Sequence, residues 1–129
     1  MNFNFTEDQT LFRDSVREFL RNEVTPDYIR QRWEGNAESL WPQLAEMGLT
    51  GVTVPEAHGG LGMGLADFVL LAEECGYVAL PEPLTRTAMV AAPLLGEAAS
   101  ASETASEWLA ALASGELIAT AGLENALVE

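Results

Sequence analysis

Between Gly48 and Gly64 the chain reads Gly48-Leu49-Thr50-Gly51-Val52-Thr53-Val54-Pro55-Glu56-Ala57-His58-Gly59-Gly60-Leu61-Gly62-Met63-Gly64, and six of the eleven glycines fall inside it. No other stretch constrains the fold as much. Glycine reaches positive φ without steric cost and admits another backbone at close range. Pro55 fixes its own φ and pushes Val54 toward an extended conformation. The stretch reads as a long, shaped loop between a helix ending near Met47 and another starting near Leu65. Loops of this length without secondary structure are uncommon and often functional; a plain helix connector is the alternative. Gly60-Leu61-Gly62-Met63-Gly64 is not a Walker loop, since no Gly-Lys-Ser/Thr follows and no strand of a βαβ unit precedes it.

The flanks read as helices. Thr6 with Gln9 three residues later forms a capping box. Phe12, Val16, Phe19 and Leu20 then make one apolar stripe. Arg13, Arg17 and Arg21 recur every four residues beside Asp14 and Glu18, as a solvated face with short-range ion pairs. Pro26 ends this helix or opens the next, a short helical segment over Asp27–Trp33 that Gly35 stops. Asn36 or Ser39 caps a third helix whose apolar side is Trp41, Leu44, Ala45 and Met47, with Gly48 just past its end. After the loop comes the most apolar helix, Leu65–Val78, with Leu65, Phe68, Val69, Ala72 and Cys75 as one face. Pro81-Glu82-Pro83 opens another, Leu84 to about Leu95, which Pro93 bends or ends. Glu97–Ser102 is a small-residue hinge. Ser102 caps a last helix with Trp108, Leu109 and Leu112 inward, closed by Gly115. Leu117 to Leu123 reads as a strand with no partner after it, which suggests a truncated protein.

Charge narrows the ligands. The formal net charge is −14, and there is no lysine. Five of the six arginines lie in the first 32 residues; beyond them stand 14 acidic residues and only Arg86. Nucleic acid and anionic membrane surfaces are poor partners, because both need clustered Lys or Arg. A multiply phosphorylated ligand would find its cations outside this chain, or near Arg86 at most. The single Cys75 forms no intrachain disulfide and reads as a small buried residue in a reducing, cytoplasmic compartment. His58 has no second His or Cys at ligand spacing, so no metal site is expected. No Ser-His-Asp constellation or nucleophile elbow stands out.

The pattern Gly-x-x-Gly-x-x-x-Pro-Glu-x-x-Gly-Gly-x-Gly over Gly48–Gly62 resembles the acyl-CoA dehydrogenase family. The opening Phe5-Thr6-Glu7-Asp8-Gln9 and the segment Ser102–Ile118 are also similar to that family, in the same order and spacing. The resemblance implies an all-α, up-and-down helical bundle of about six helices over residues 1–115, with 116–129 the first strand of a β-domain. It implies a flavoprotein oxidoreductase of fatty-acid or steroid side-chain metabolism, using FAD on an acyl-CoA substrate, in a homo- or hetero-oligomer. The family's catalytic Glu base lies beyond this chain, so no residue here is assigned as catalytic and no cofactor-binding residue is named. By carry-over, Glu82, Thr85 and Met89 face the end of the acyl chain; plain bundle packing is the alternative. Leu123-Glu124-Asn125-Ala126 departs from the family's Leu-Thr-Glu-Pro turn, placing Glu124 where a flavin-contacting threonine is usual. That departure fits a subunit completed by a partner. A related flavin-dependent monooxygenase and a non-catalytic helical interaction module remain open.

Overall fold

In the computed structural model, which describes residues 4–122, Thr6 opens the chain's first helix as expected. Thr6 Oγ1 accepts from the Gln9 N–H, and Gln9 Oε1 accepts in return from the Thr6 N–H, so two otherwise orphaned donors are satisfied. Helix α1 spans Glu7–Glu23, and α2 spans Pro26–Trp33 behind the Thr25 cap. The short α3, Trp41–Glu46, has no side-chain cap on Leu40; Ser39 Oγ instead accepts the Trp41 N–H, and Asn36 points back to Glu34. Helix α4 spans Leu65–Tyr77, and α5 covers Leu84–Arg86. A π-turn over Thr87–Ala91 joins α5 to α6, Ala92–Ala99, and α7 is Glu103–Ala113. Counting α5, the π-turn and α6 as one helix, the described residues form six helices in an all-α bundle.

Two apolar clusters make the core. The larger joins α1, α3 and α4 through Val16, Leu20, Leu44, Phe68 and Leu71, with Leu84 and Ala88 from the next helix. The smaller packs Ala91 and Ala92 against Leu109, Leu112 and Ala113 of α7. The glycine loop links them. Val52 is buried in the first cluster and Val54 in the second. The loop is not structureless: it carries two 3₁₀ turns, Leu49–Gly51 and Glu56–His58. Its returning limb donates from Leu61, Gly62 and Met63 to the carbonyls of Gly51, Val54 and Val52. Gly48 and Gly59 sit at φ 75° and 80°, the left-handed region that side chains resist.

Four expectations change. Leu65 and Val69 are exposed, because α4 turns Phe68, Leu70, Leu71 and Cys75 inward. Trp108 is half-exposed at the edge of α7, whose inward stripe is Ala105, Leu109 and Leu112. Pro93 does not end its helix, and α6 continues to Ala99 through part of the expected hinge. Residues 117–122 form no strand: with no neighbouring strand among the described residues, the Leu117 N–H donates to the Ala111 carbonyl and the Ala119 carbonyl accepts from Thr87. Leu123 and the turn that follows it lie outside the described residues.

Arg17 is also more than a solvated side chain. Its Nε and Nη2 donate to Glu74 Oε2 and Oε1 at 2.9 and 2.6 Å, across α1 and α4. The Glu74 side chain is 2% exposed. The hydrogen bond from Arg17 holds its carboxyl below the usual range, against the opposing effect of burial. Among the described residues, no helix is long and apolar enough to cross a membrane.

Candidate functional site

The chemistry-bearing residues gather where the helix through Arg86 and Met89 is interrupted. An α-helix pairs each N–H with the carbonyl four residues back. Here the Ala92 N–H reaches five residues back, to Thr87. Pro93 has no N–H to offer Met89, so the register slips at little further loss. The slip leaves the Ala88 carbonyl without its helical donor, and the Thr53 hydroxyl of the glycine loop fills the place at 2.6 Å. One residue earlier, the Thr87 hydroxyl donates to the Ala119 carbonyl at 2.9 Å. The π-turn is thereby tied to the loop on one side and to the C-terminal segment on the other. Both threonines were missed as site-shaping residues from the sequence. A proline inside a helical pattern was the available signal, since π-bulges and prolines are the usual causes of a disturbed helix.

This arrangement buries Leu84, Thr87 and Ala88 and turns Thr85, Arg86, Met89 and Val90 outward. Of the three residues carried over to the acyl pocket, Thr85 and Met89 share that outward side, one turn apart. Glu82 has a different surrounding. Its Oε1 accepts from Arg32 Nε at 3.3 Å, the Tyr28 hydroxyl at 3.3 Å and the Leu40 N–H at 3.0 Å. Its Oε2 accepts from Ser39 Oγ at 2.9 Å. With its side chain 3% exposed, Glu82 is a junction between α2 and the start of α3. Burial and the Glu82 charge together hold the Tyr28 hydroxyl above its ordinary pKa, so it stays a donor.

Glu82 and Thr85 meet in one cavity of ≈ 300 Å³, which Pro83, Arg86 and Thr120 complete; Met89 lies outside it. A second cavity of ≈ 220 Å³ is apolar and runs between Leu94, Leu95, Trp108 and the segment Ala119–Ala121. A third, of ≈ 490 Å³, is lined by Glu23, Glu38 and Glu46 and so repels phosphates. Among the described residues no group of cations faces a cavity large enough for a dinucleotide, so these residues do not by themselves fit FAD. His58 Nδ1 lies 3.2 Å from Ser106 Oγ and pins the loop to α7. Burial, then the Glu74 charge, pushes the Cys75 thiol up to about 12, which leaves it protonated and inert.

Against this geometry the comparisons agree. The profile of the acyl-CoA dehydrogenase N-terminal domain matches residues 6–116. The chain is 35% identical over 121 residues to (2S)-methylsuccinyl-CoA dehydrogenase of Cereibacter sphaeroides, covering 89% of this chain and 21% of that protein. It is 36% identical over 76 residues to the mitochondrial long-chain specific acyl-CoA dehydrogenase of Sus scrofa, covering 57% of this chain and 17% of that one. The crystal structure of the ChsE4-ChsE5 complex from Mycobacterium tuberculosis matches all of this chain and 36% of its own, with a TM-score of 0.79 at 26% identity. The chain thus spans about a fifth of the length of these two curated relatives. By sequence over residues 6–116 and by fold, it belongs to the acyl-CoA dehydrogenase family, through that family's N-terminal domain.

Proposed function

We propose that residues 1–115 form the N-terminal helical part of an FAD-dependent enzyme that removes two hydrogens across the α,β carbons of an acyl-CoA thioester. Residues 116–129 lead into its β-domain. In this reading the flavin and the carboxylate base lie outside the chain. The chain supplies a wall of the acyl pocket and a domain interface. The observation that carries the reading is the outward side of the π-interrupted helix, where Thr85, Met89 and Val90 stand exposed; Leu94 and Trp108 are exposed as well. A contiguous exposed apolar face of this kind commonly marks a surface that a ligand or another domain covers. Thr85 and Met89 then meet the end of the acyl group, and Glu82 fixes the start of that helix through α2 and α3. The buried, protonated Cys75 thiol is compatible with a cytoplasmic setting.

A second reading is favoured by two observations. A matching structure is that of the ChsE4-ChsE5 complex, and Leu123-Glu124-Asn125-Ala126 departs from the family's flavin-contacting turn. In that reading the chain belongs to a subunit whose site is completed by a different polypeptide. The test is kinetic, on the protein with whatever sequence follows Glu129, assayed with thioesters of several lengths. Met89→Trp is expected to raise KM for the longer acyl groups while leaving the shortest unchanged. An identical length profile would remove Met89 from the pocket.

A further inference from the structure

We propose that Arg86, with the hydroxyls of Thr85 and Thr120, forms an anion subsite for an ionised oxygen group on the ligand. Two sources share that chemistry: a carboxylate at the far end of the acyl group, and a phosphate of coenzyme A. The choice of these two rests on the reading of the ligand as a CoA thioester.

The charge distribution carries the argument. Beyond Arg32, Arg86 is the only cation against 14 acidic residues. Such a cation is ordinarily taken up by a neighbouring carboxylate. Arg13, Arg17, Arg30 and Arg32 each have one within 4.0 Å. Among the described residues Arg86 has no ion pair, although Glu82 lines the same cavity. Glu82 is committed elsewhere: four donors occupy its two oxygens, and Arg32 balances its charge. Among the described residues the cavity is therefore lined by one arginine without an ion pair and by two threonines. A guanidinium presents a planar fork of donors that matches a carboxylate or a phosphate. Thr87, immediately after Arg86, is held by the Ala119 carbonyl, which brings Thr120 to the cavity from the C-terminal segment. The subsite thus draws on two separate stretches of chain fastened together at its edge. One relative, named for methylsuccinyl-CoA, acts on a thioester whose acyl group ends in a carboxylate. This makes the acyl carboxylate a concrete candidate.

The test is direct binding to the full chain, read at the Arg86 Nε–Hε resonance by NMR. Three probes separate the sources: succinamic acid carries a carboxylate and no phosphate, coenzyme A carries phosphates and no acyl carboxylate, and pantetheine carries neither. Saturable movement of the Arg86 signal with one of the first two, and none with pantetheine, is the expected result and identifies the source. Arg86→Gln should weaken that binding roughly ten-fold or more, and Arg86→Lys should keep part of it. Arg86 is exposed and makes no ion pair among the described residues, so both variants should fold; an unchanged helical circular dichroism spectrum verifies this. Arg21, also exposed and without an ion pair among the described residues, is the internal control for non-specific attraction. If neither anion moves Arg86 saturably, or Arg86→Gln binds as well as the native chain, the subsite is overturned. The readout involves no flavin and no turnover. Anion binding by the chain, with no thioester oxidation by the protein once its flavin and base are supplied by the rest of the enzyme, would leave the subsite standing and remove the dehydrogenase reading instead.

Discussion

Gly60 explains why the glycines of the loop are so dense. A Cβ placed there would run into the Val54 carbonyl and Cβ, where the loop's returning limb crosses its outgoing one. Gly59 has open space but lies at φ 80°. Gly60→Val should cost about 1–3 kcal/mol, the usual penalty for overpacking against backbone; an unchanged melting midpoint would contradict this. Much of the pattern of glycines was legible in the sequence because Gly48, Gly59, Gly60 and Gly62 answer local backbone demands. Glu74 was not legible, because its partner Arg17 lies 57 positions away and nothing in the spacing of either helix joins them. Its carboxyl sits below the ordinary value of 4.5 in the folded chain. The native state therefore binds fewer protons than the unfolded one near that pH. The pair's stabilisation is complete above 4.5 and is lost as pH falls through the lower, folded value. Glu74→Gln should lower the melting midpoint at neutral pH and flatten its decline in acid. Parallel acid limbs for the native chain and the variant would show that the pair does not act this way.

At the level of elements, caps and periodicity sufficed where a helix faces a single neighbour. Thr6 and Ser102 accept the expected N–H, while Thr25, which caps α2, went unread. Periodicity misled where a helix is covered on more than one side: α4 exposes Leu65 and Val69 and buries Leu70. Trp108 reads as core by size, yet it borders the apolar cavity beside the C-terminal segment. Pro93 reads as a bend or a stop because the helix rule assumes regular hydrogen bonding. The π-turn breaks that assumption, and Thr53 makes up the lost bond. Thr53→Val keeps the shape and leaves the Ala88 carbonyl without its donor. This should cost about 1–3 kcal/mol and speed amide exchange in Thr87–Ala91. Exchange as slow as in the native chain would mean that Thr53 does not hold the turn. The candidate pocket residues were only partly legible. The family resemblance marks Glu82, Thr85 and Met89, but the sequence alone cannot show that Tyr28, Arg32, Ser39 and Leu40 converge on Glu82.

For the whole molecule, the consequence is an exposed apolar surface on the side of α6, α7 and the C-terminal segment. Met89, Val90, Leu94, Trp108 and Ile118 are all at least a third exposed. In the isolated chain this surface should drive concentration-dependent self-association. Trp108→Glu should reverse it without unfolding the bundle, because Trp108 lies outside both buried clusters. Sedimentation velocity over a range of concentrations checks this, and a strictly monomeric native chain would count against it. In the proposed reading this chain holds only one wall of the reaction site. The most direct measurement is a titration of the purified chain with FAD, followed by a dye-coupled assay with acyl-CoA thioesters of several lengths. No tight flavin binding and no turnover by the chain alone are the expected results. Micromolar flavin binding together with turnover would place the whole site within residues 1–129 and contradict it.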